Sequence, residues 1–153
     1  MATGSDARWN SVAFWSDPAE RAFARALLKG RWEMFGDRRR GLVSAPRPFR
    51  DVIDGRRLIP EGAEEVTSVP LDSIIGSVGG RGYFFTRSFY PKTDIILPRW
   101  KRAYAAARGL RGYEPIESYE TGGVHFVVDG HFRVSVAGAL RFETIQAVVR
   151  RWG

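Results

Sequence analysis

The apolar positions near the N-terminus indicate one long amphipathic helix. Phe23, Ala26, Leu27 and Met34 recur at the three- and four-residue spacing that places side chains on one helix face. This spacing predicts a helix over 17–35, preceded by a loose leader at 1–16. The expected boundary residues are Asp17 as the N-cap, Pro18 at the first helical position, Glu20 in a capping box and Gly36 as the stop.

Shorter alternating and helical patterns follow one another from residue 64 onward. The predicted strands cover 65–69, 115–119, 124–128 and 144–150, and the predicted helices cover 98–108 and 131–141. A helical turn is expected over 70–75, and the Thr-Gly-Gly sequence at 121–123 predicts a hairpin turn. In the strand after that turn, Phe126 faces inward with its alternate neighbours, and His125 is expected to alternate outward, as a surface residue or as one that meets the partner strand.

This element order predicts an α+β (mixed α/β) domain over residues 64–153. Residues 1–63 are predicted to form an N-terminal extension, in which the long helix is followed by an irregular connection over 41–63, rich in proline and glycine. We expect this extension to pack on the domain.

Composition excludes several classes of protein. A chain of 153 residues with 44% hydrophobic residues is able to bury a core. The absence of cysteine excludes a disulfide scaffold, a thiolate zinc site and a cysteine nucleophile, and with two histidines we expect no metal site. No apolar run approaches about 20 residues and no secretory signal is visible, so we expect no membrane association and a cytoplasmic location.

The positive charge is concentrated in one part of the chain. The net charge is +7, and residues 81–111 contain eight cations and a single acid, Asp94. The remainder of the chain is formally neutral, so the whole excess lies between the glycine-rich segment and the end of the following helix. A basic stretch of this kind is typical of proteins that bind nucleic acid or nucleotides.

A buried strand is expected to run directly into a helix at residues 129–133, Asp-Gly-His-Phe-Arg. The start of such a helix offers free backbone N–H groups to an anion, and Gly130 permits close approach. Arg133 in the first turn opposes the helix dipole unless an anion is present. A purely structural interpretation is also open, in which Asp129 is the N-cap and Arg133 points to solvent or pairs with Glu117.

These residues resemble a known family. Pro-Ile-Glu at 115–117 before a hairpin, together with Asp-Gly-His-x-Arg at 129–133 and an alanine four residues later, resembles the ParB/sulfiredoxin superfamily over roughly residues 64–153. Within that superfamily, the pattern is most similar to ParB-like proteins that carry Asp-Gly-His-His-Arg. The Gly-Ser-Val-Gly sequence at 76–79 resembles their upstream segment.

The resemblance implies a nucleotide-handling domain. Families of this fold include ParB proteins, which bind CTP and DNA, sulfiredoxin, which uses ATP, and an ADP-dependent free-serine kinase. By this resemblance, Gly130, His131 and Arg133 contact phosphate, Asp129 has a polar or catalytic role, and CTP or ATP/ADP with Mg²⁺ is the expected cofactor.

Two departures qualify what the resemblance implies. The chain lacks the sulfiredoxin cysteine, whose place is taken by His131, so that activity is excluded. Phe132 stands where the family has a histidine or arginine, and this apolar side chain puts phosphoryl transfer and nucleotide hydrolysis in doubt. We also expect no room after the domain for the DNA-binding and dimerisation regions of a full partitioning protein.

Two further segments have the composition of an anion-binding surface. The glycine-rich, aromatic-rich segment 76–90 contains Ser77, Arg81 and Arg87, which we assign as phosphate ligands, with core anchoring of the loop as the alternative. On the helix 98–108 and just after it, the candidate contacts to a nucleic-acid backbone are Arg99, Lys101, Arg102, Arg108 and Arg111, with a solvated basic face as the alternative.

The favoured function is therefore a non-catalytic, DNA-associated domain that binds nucleotide or nucleic-acid phosphate. One alternative is a small phosphotransfer enzyme or nuclease of the same fold, with Asp129, His131 and Glu117 as weak catalytic candidates. The other is an accessory protein that binds a protein partner and has lost the ligand.

Overall fold

The computed structural model describes residues 17–153, so the predicted leader at 1–16 lies outside the described residues. Its longer helices are α1 (Pro18–Arg39), α3 (Leu97–Arg108) and α4 (His131–Ala139), and a five-residue helix α2 spans Phe49–Ile53. Its strands are β1 (Arg47–Pro48), β2 (Pro60–Pro70), β3 (Ile74–Ser77), β4 (Ile116–Thr121), β5 (Val124–Asp129) and β6 (Thr144–Trp152). Three short 3₁₀ turns span Leu71–Ser73, Gly80–Phe84 and Asp94–Ile96.

The six strands form one mixed sheet in the order β1-β3-β5-β4-β6-β2. The pairs β1–β3, β3–β5 and β4–β6 are parallel, and β4–β5 and β2–β6 are antiparallel. The combination of this sheet with separate helices confirms the predicted α+β class. β1 belongs to the same sheet as the later strands, and β2 crosses the predicted boundary between residues 63 and 64. That boundary stays a prediction.

The main core lies between the sheet and the helices α1, α3 and α4. Phe23 of α1 and Trp100 of α3 are fully buried and meet edge to face with their ring centres 5.4 Å apart. The indole nitrogen of Trp100 donates a hydrogen bond to the Ser135 hydroxyl of α4 at 2.9 Å. Burying an aromatic ring of this size contributes several kcal/mol, roughly 3–5 as measured by truncation to alanine. These contacts fix α3 beside the start of α4.

A smaller aromatic cluster covers the opposite face of the sheet. Phe49 of α2 packs edge to face against Tyr119 and Phe126, with ring centres 5.3 and 5.2 Å apart. Phe126 and its neighbour Val127 are both fully buried, and alternation along the strand sends them to opposite faces. The surface position, one of the two alternatives for His125, is therefore wrong, because both faces of β5 are covered, whereas the other alternative, a contact with the partner strand, is present. His125 is buried, and its Nδ1 lies 3.1 Å from the Ser118 hydroxyl.

Most of the predicted helices are present, whereas the segment between residues 36 and 77 contains elements that the sequence pattern did not predict. The Asp17 carboxylate caps α1 by accepting from the Ala19 N–H at 2.9 Å, as predicted, but the helix continues through Gly36 to Arg39. Glu20 binds Lys101 at 3.1 Å, which departs from the expected capping box. The connection predicted to be irregular over 41–63 contains β1, α2 and the first residues of β2.

The segment 70–77 also departs from its prediction. The helical turn expected over 70–75 is limited to Leu71–Ser73, and the buried strand β3 follows it directly. Within residues 17–153, no helix combines the length and apolar character that crossing a bilayer requires.

Candidate phosphate-binding site

The turn from β5 into α4 requires a glycine for structural reasons. Gly130 has a φ of 116°, a conformation that side chains other than glycine rarely adopt. A Cβ added to it would lie 2.4 Å from Cγ2 of Ile116. The space that we assigned to an approaching ligand is therefore occupied by Ile116. Gly130 is also the N-cap of α4, so the interpretation of Asp129 as the N-cap is wrong.

His131 and Ser77 form a buried pair between the helix start and the glycine-rich segment. The Ser77 hydroxyl lies 2.6 Å from Nε2 of His131 and donates to the carbonyl of Gly79 at 3.0 Å. Because the hydroxyl has one proton, this geometry makes Nε2–H of His131 the donor to Ser77. Nδ1 is then an acceptor, and it is buried without a hydrogen-bond partner among residues 17–153. The glycine-rich segment and the start of α4 are thus in direct contact at this pair.

Burial dominates the electrostatics of His131. Burial, followed by the nearby positive charge of Arg81, lowers the pKa of His131 to about 4. The ring is therefore neutral at pH 7, and it is only 2% exposed. Both properties suit an anchor between two segments. No local sequence signal links Ser77 to His131, because they are 54 residues apart.

Two predicted phosphate ligands converge on one carboxylate. Arg133 donates from Nη2 to Asp129 at 3.1 Å, and Nη1 of Arg81 lies 3.8 Å from the other Asp129 oxygen. Arg133 also donates from Nη1 to the carbonyls of Glu114 and Pro115, both at 2.9 Å. Arg133 thus holds the chain before β4 against the first turn of α4. The predicted alternatives for Arg133, solvent or Glu117, are replaced by these contacts.

The three catalytic candidates differ in their exposure to solvent. Asp129 and Glu117 are partners in the β4–β5 ladder, and both side chains are exposed. His131 is buried and hydrogen-bonded to Ser77, as described above. Among residues 17–153 there is no group of three or more histidine, aspartate or glutamate side chains suited to holding a metal ion.

Two other predicted ligands are committed to carboxylates within the chain. Nε of Arg87 donates to both oxygens of Asp37 at 3.1 Å, and Asp37 is fully buried. The ammonium group of Lys101 lies 2.8 Å from Asp17 and 3.1 Å from Glu20. These hydrogen bonds and charges raise the pKa values of Arg87 and Lys101 and keep both side chains charged. Each cation therefore joins α1 to a later part of the chain.

Two of the three arginines of α3 lie near aromatic rings. The guanidinium carbon of Arg99 lies 4.9 Å from the centre of the Phe132 ring, and that of Arg108 lies 5.8 Å from the centre of the Tyr104 ring. Within residues 17–153, neither arginine forms an ion pair with a carboxylate. A ring attracts a cation without neutralising it, so this charge stays available to an anion.

An open cleft of about 330 Å³ brings these groups together between α3 and α4. It is lined by the cations Arg99, Arg102 and Arg133, by the rings of Tyr113 and Phe132, and by small side chains of α3. Phe132 in the first turn of α4 is therefore accompanied by a cation from another helix, since Arg99 lies over its ring. Arg111 is exposed in the loop after α3 and does not line the cleft.

Comparison with known proteins gives little further information. No protein-family model matches the chain, and no curated protein matches it. Among solved structures, sulfiredoxin from Arabidopsis thaliana is similar at 16% sequence identity with a TM-score of 0.40. The similarity covers 57% of this chain and 85% of that one. At this TM-score it carries no argument, and the ParB-like assignment stays a prediction.

Proposed function

We propose that the chain binds the phosphate groups of nucleic acid in the cleft between α3 and α4, without catalysing a reaction. The observation that supports this most directly is the state of Arg99 and Arg102. Both line the cleft, and neither is paired with a carboxylate of the described residues. An arginine that already has a carboxylate partner gains little from binding a further anion. Arginines that lack such a partner and line a concave site therefore favour an anionic ligand.

The surroundings of the two arginines support the same proposal. Arg99 is held over Phe132, and Arg133 is fixed at the cleft edge by two backbone carbonyls, so two of the three guanidinium groups are already positioned. Positioning before binding reduces the entropy lost when the ligand arrives. The Phe132 and Tyr113 rings add surfaces on which a base or sugar is able to pack.

Nucleic acid suits the cleft better than a free nucleotide does. The cleft is open and shallow, so it fits an extended phosphate chain better than it encloses a single nucleotide. The cleft is basic, but it has few polar groups that could hydrogen-bond to the edge of a base. Such a surface suits contacts to the phosphate backbone, which carries no sequence information. CTP, ATP and ADP with Mg²⁺ are the alternative ligands, and the experiments described next include them. A catalytic function has no observation in its favour.

The experiment measures binding of a labelled 20-base-pair DNA duplex by fluorescence anisotropy at about 50 mM salt, where phosphate contacts are strong. We expect the double variant Arg99→Gln/Arg102→Gln to bind at least about tenfold more weakly than the unaltered protein. The matched control is Arg56→Gln/Arg57→Gln, which removes two exposed arginines far along the chain from α3. The control should bind within about twofold of the unaltered protein.

Two results would overturn the proposal. One is an absence of duplex binding at low salt, and the other is an equal loss in the control variant, which would indicate diffuse attraction by net charge. In parallel, thermal shifts with CTP, ATP and ADP, each with Mg²⁺, test the nucleotide arm, since a ligand of the native state raises the melting temperature. A shift that depends on Arg99 and Arg102, without duplex binding, would replace nucleic acid by nucleotide as the ligand.

A further inference from the structure

Within residues 17–153, no other element covers the outward side of α1, which carries an apolar stripe. Leu28, Trp32 and Phe35 are 57%, 67% and 54% exposed. Their spacing of four and three residues places them on one side of the helix over about 10 Å. We call these three residues the α1 outer face. Large apolar side chains grouped in this way on a protein surface are typical of interaction sites.

The core does not need this stripe. α1 buries its opposite side, where Phe23 and Leu27 contact the rest of the protein and are 0% and 4% exposed. The Trp32 and Phe35 rings pack edge to face with centres 6.4 Å apart, so they are held in place while exposed. Beside them lies a groove of about 570 Å³, to which Phe35, Met34 and Leu42 contribute apolar atoms. The face is therefore formed before any partner binds.

The charged side chains beside the α1 outer face are basic. Arg31 and Arg38 line the groove, and the guanidinium carbon of Arg39 lies 5.8 Å from the centre of the Phe35 ring. The acidic residues of α1 are engaged elsewhere: Glu20 with Lys101, Glu33 with the backbone N–H of Ser88, and Asp37 with Arg87. The outer face thus presents apolar side chains with a positive border.

We propose that the α1 outer face is a docking site for an acidic amphipathic helix of another protein. A partner helix with apolar residues at matching spacing would lie along the stripe, and its flanking glutamates or aspartates would meet Arg31 and Arg38. Two copies of this chain do not fit face to face, because arginines would meet arginines. The exposed Trp32 and Phe35 rings are able to stack a base, so single-stranded nucleic acid is the competing ligand that the test below separates from a helix.

The test begins with selection from a displayed library of helix-forming 20-residue peptides against the full chain. We expect enriched sequences with apolar residues at positions i, i+4 and i+7 flanked by glutamate or aspartate. The best peptide is then synthesised and its affinity measured by anisotropy. Trp32→Ala/Phe35→Ala and, separately, Arg31→Glu/Arg38→Glu should each weaken binding roughly tenfold or more. Exposure of all four side chains makes these variants compatible with folding, which circular dichroism checks.

The matched controls are Val66→Ala, which truncates a 62% exposed side chain on β2, and Arg56→Glu/Arg57→Glu. Both should bind the peptide within about twofold of the unaltered protein. The proposal is overturned if no peptide is enriched, if enriched peptides lack acidic residues, or if neither outer-face variant weakens binding. It is also overturned if the outer-face variants instead abolish binding to a dT20 oligonucleotide, adhesion to anionic phospholipid vesicles, or self-association in sedimentation.

Discussion

Removing Arg87 should destabilise the fold more than removing its partner, Asp37. The Asp37 side chain is 0% exposed, whereas that of Arg87 is 42% exposed. Arg87→Met leaves a buried carboxylate whose remaining side-chain donor is the Ser44 hydroxyl at 3.1 Å. Asp37→Asn leaves a cation that is able to turn towards water. The asymmetry follows because an uncompensated charge costs much more inside a protein than at its surface.

The exposed fractions of Arg87 and Asp37 set how much stability each substitution should remove. Breaking a buried ion pair from one side costs about 3–5 kcal/mol, and the partial exposure of Arg87 places this pair near the lower limit, at about 3 kcal/mol. Asp37→Asn should cost about 1 kcal/mol, the contribution of an ordinary hydrogen bond. For a chain of this length, Arg87→Met should lower the melting temperature by roughly 6–12 °C. Urea unfolding followed by circular dichroism gives both free energies.

The pH dependence of stability provides a second test of this ion pair. Hydrogen bonds from Arg87, and then from Ser44, hold the pKa of Asp37 below its ordinary value of 3.8. The ionised carboxylate therefore stabilises the native state above that pH, and the contribution is lost as the pH falls below it. Without Arg87, burial raises the pKa of Asp37, so the stability gap between the two proteins should narrow towards pH 3. A constant gap from pH 7 to 3, or an Asp37→Asn variant as unstable as Arg87→Met, would refute this reasoning.

Two further predictions concern the start of α4. Gly130→Ala should lower the free energy of unfolding by at least about 2 kcal/mol, because a Cβ would meet Ile116 and the φ of 116° is strained for alanine; an unchanged urea midpoint would contradict this. Because the pKa of His131 is lowered from 6.5 to about 4, the unfolded chain binds more protons between these pH values. Stability should therefore fall as the pH drops through this window, by at most about 1.4 kcal/mol per pH unit for this group. NMR titration of the ring checks the assignment, and a His131 pKa near 6.5 would contradict it.

The elements that depend on local signals were predictable from the sequence. Asp17 and Pro18 set the start of α1, as their capping preferences indicate. The hairpin between β4 and β5 turns through Gly122 and Gly123, whose φ values of 59° and 86° are those that a tight hairpin turn demands. These features need no partner outside their own segment, so a pattern along the chain is enough to reveal them.

Elements that depend on distant partners were not predictable in this way. β1 has two residues and is a strand only because Arg47 and Pro48 pair with β3. α1 continues through Gly36 to Arg39, and its last turn carries Asp37, which is held by Arg87, 50 residues later in the chain. His125 was misplaced because alternation within one strand does not reveal that a second layer covers the other face.

The candidate site was likewise predictable only where local sequence signals were enough. The sequence indicated the basic character of α3, and Arg99 and Arg102 do line a cleft together. It did not indicate which cations are neutralised within the chain, because the carboxylates that bind Lys101 lie on another helix, more than 80 residues earlier. It also did not indicate that Arg99 lies over Phe132, which places a cation beside the position where the family pattern is broken.

The salt dependence of duplex binding tests the central proposal most directly. Each phosphate contact contributes about 0.9 to the slope of log affinity against log salt concentration. If Arg99 and Arg102 each hold one phosphate, Arg99→Gln/Arg102→Gln should reduce the magnitude of that slope by about 1.8. The Arg56→Gln/Arg57→Gln control should keep the slope of the unaltered protein. Equal slopes for the cleft variant and the unaltered protein would contradict phosphate binding between α3 and α4.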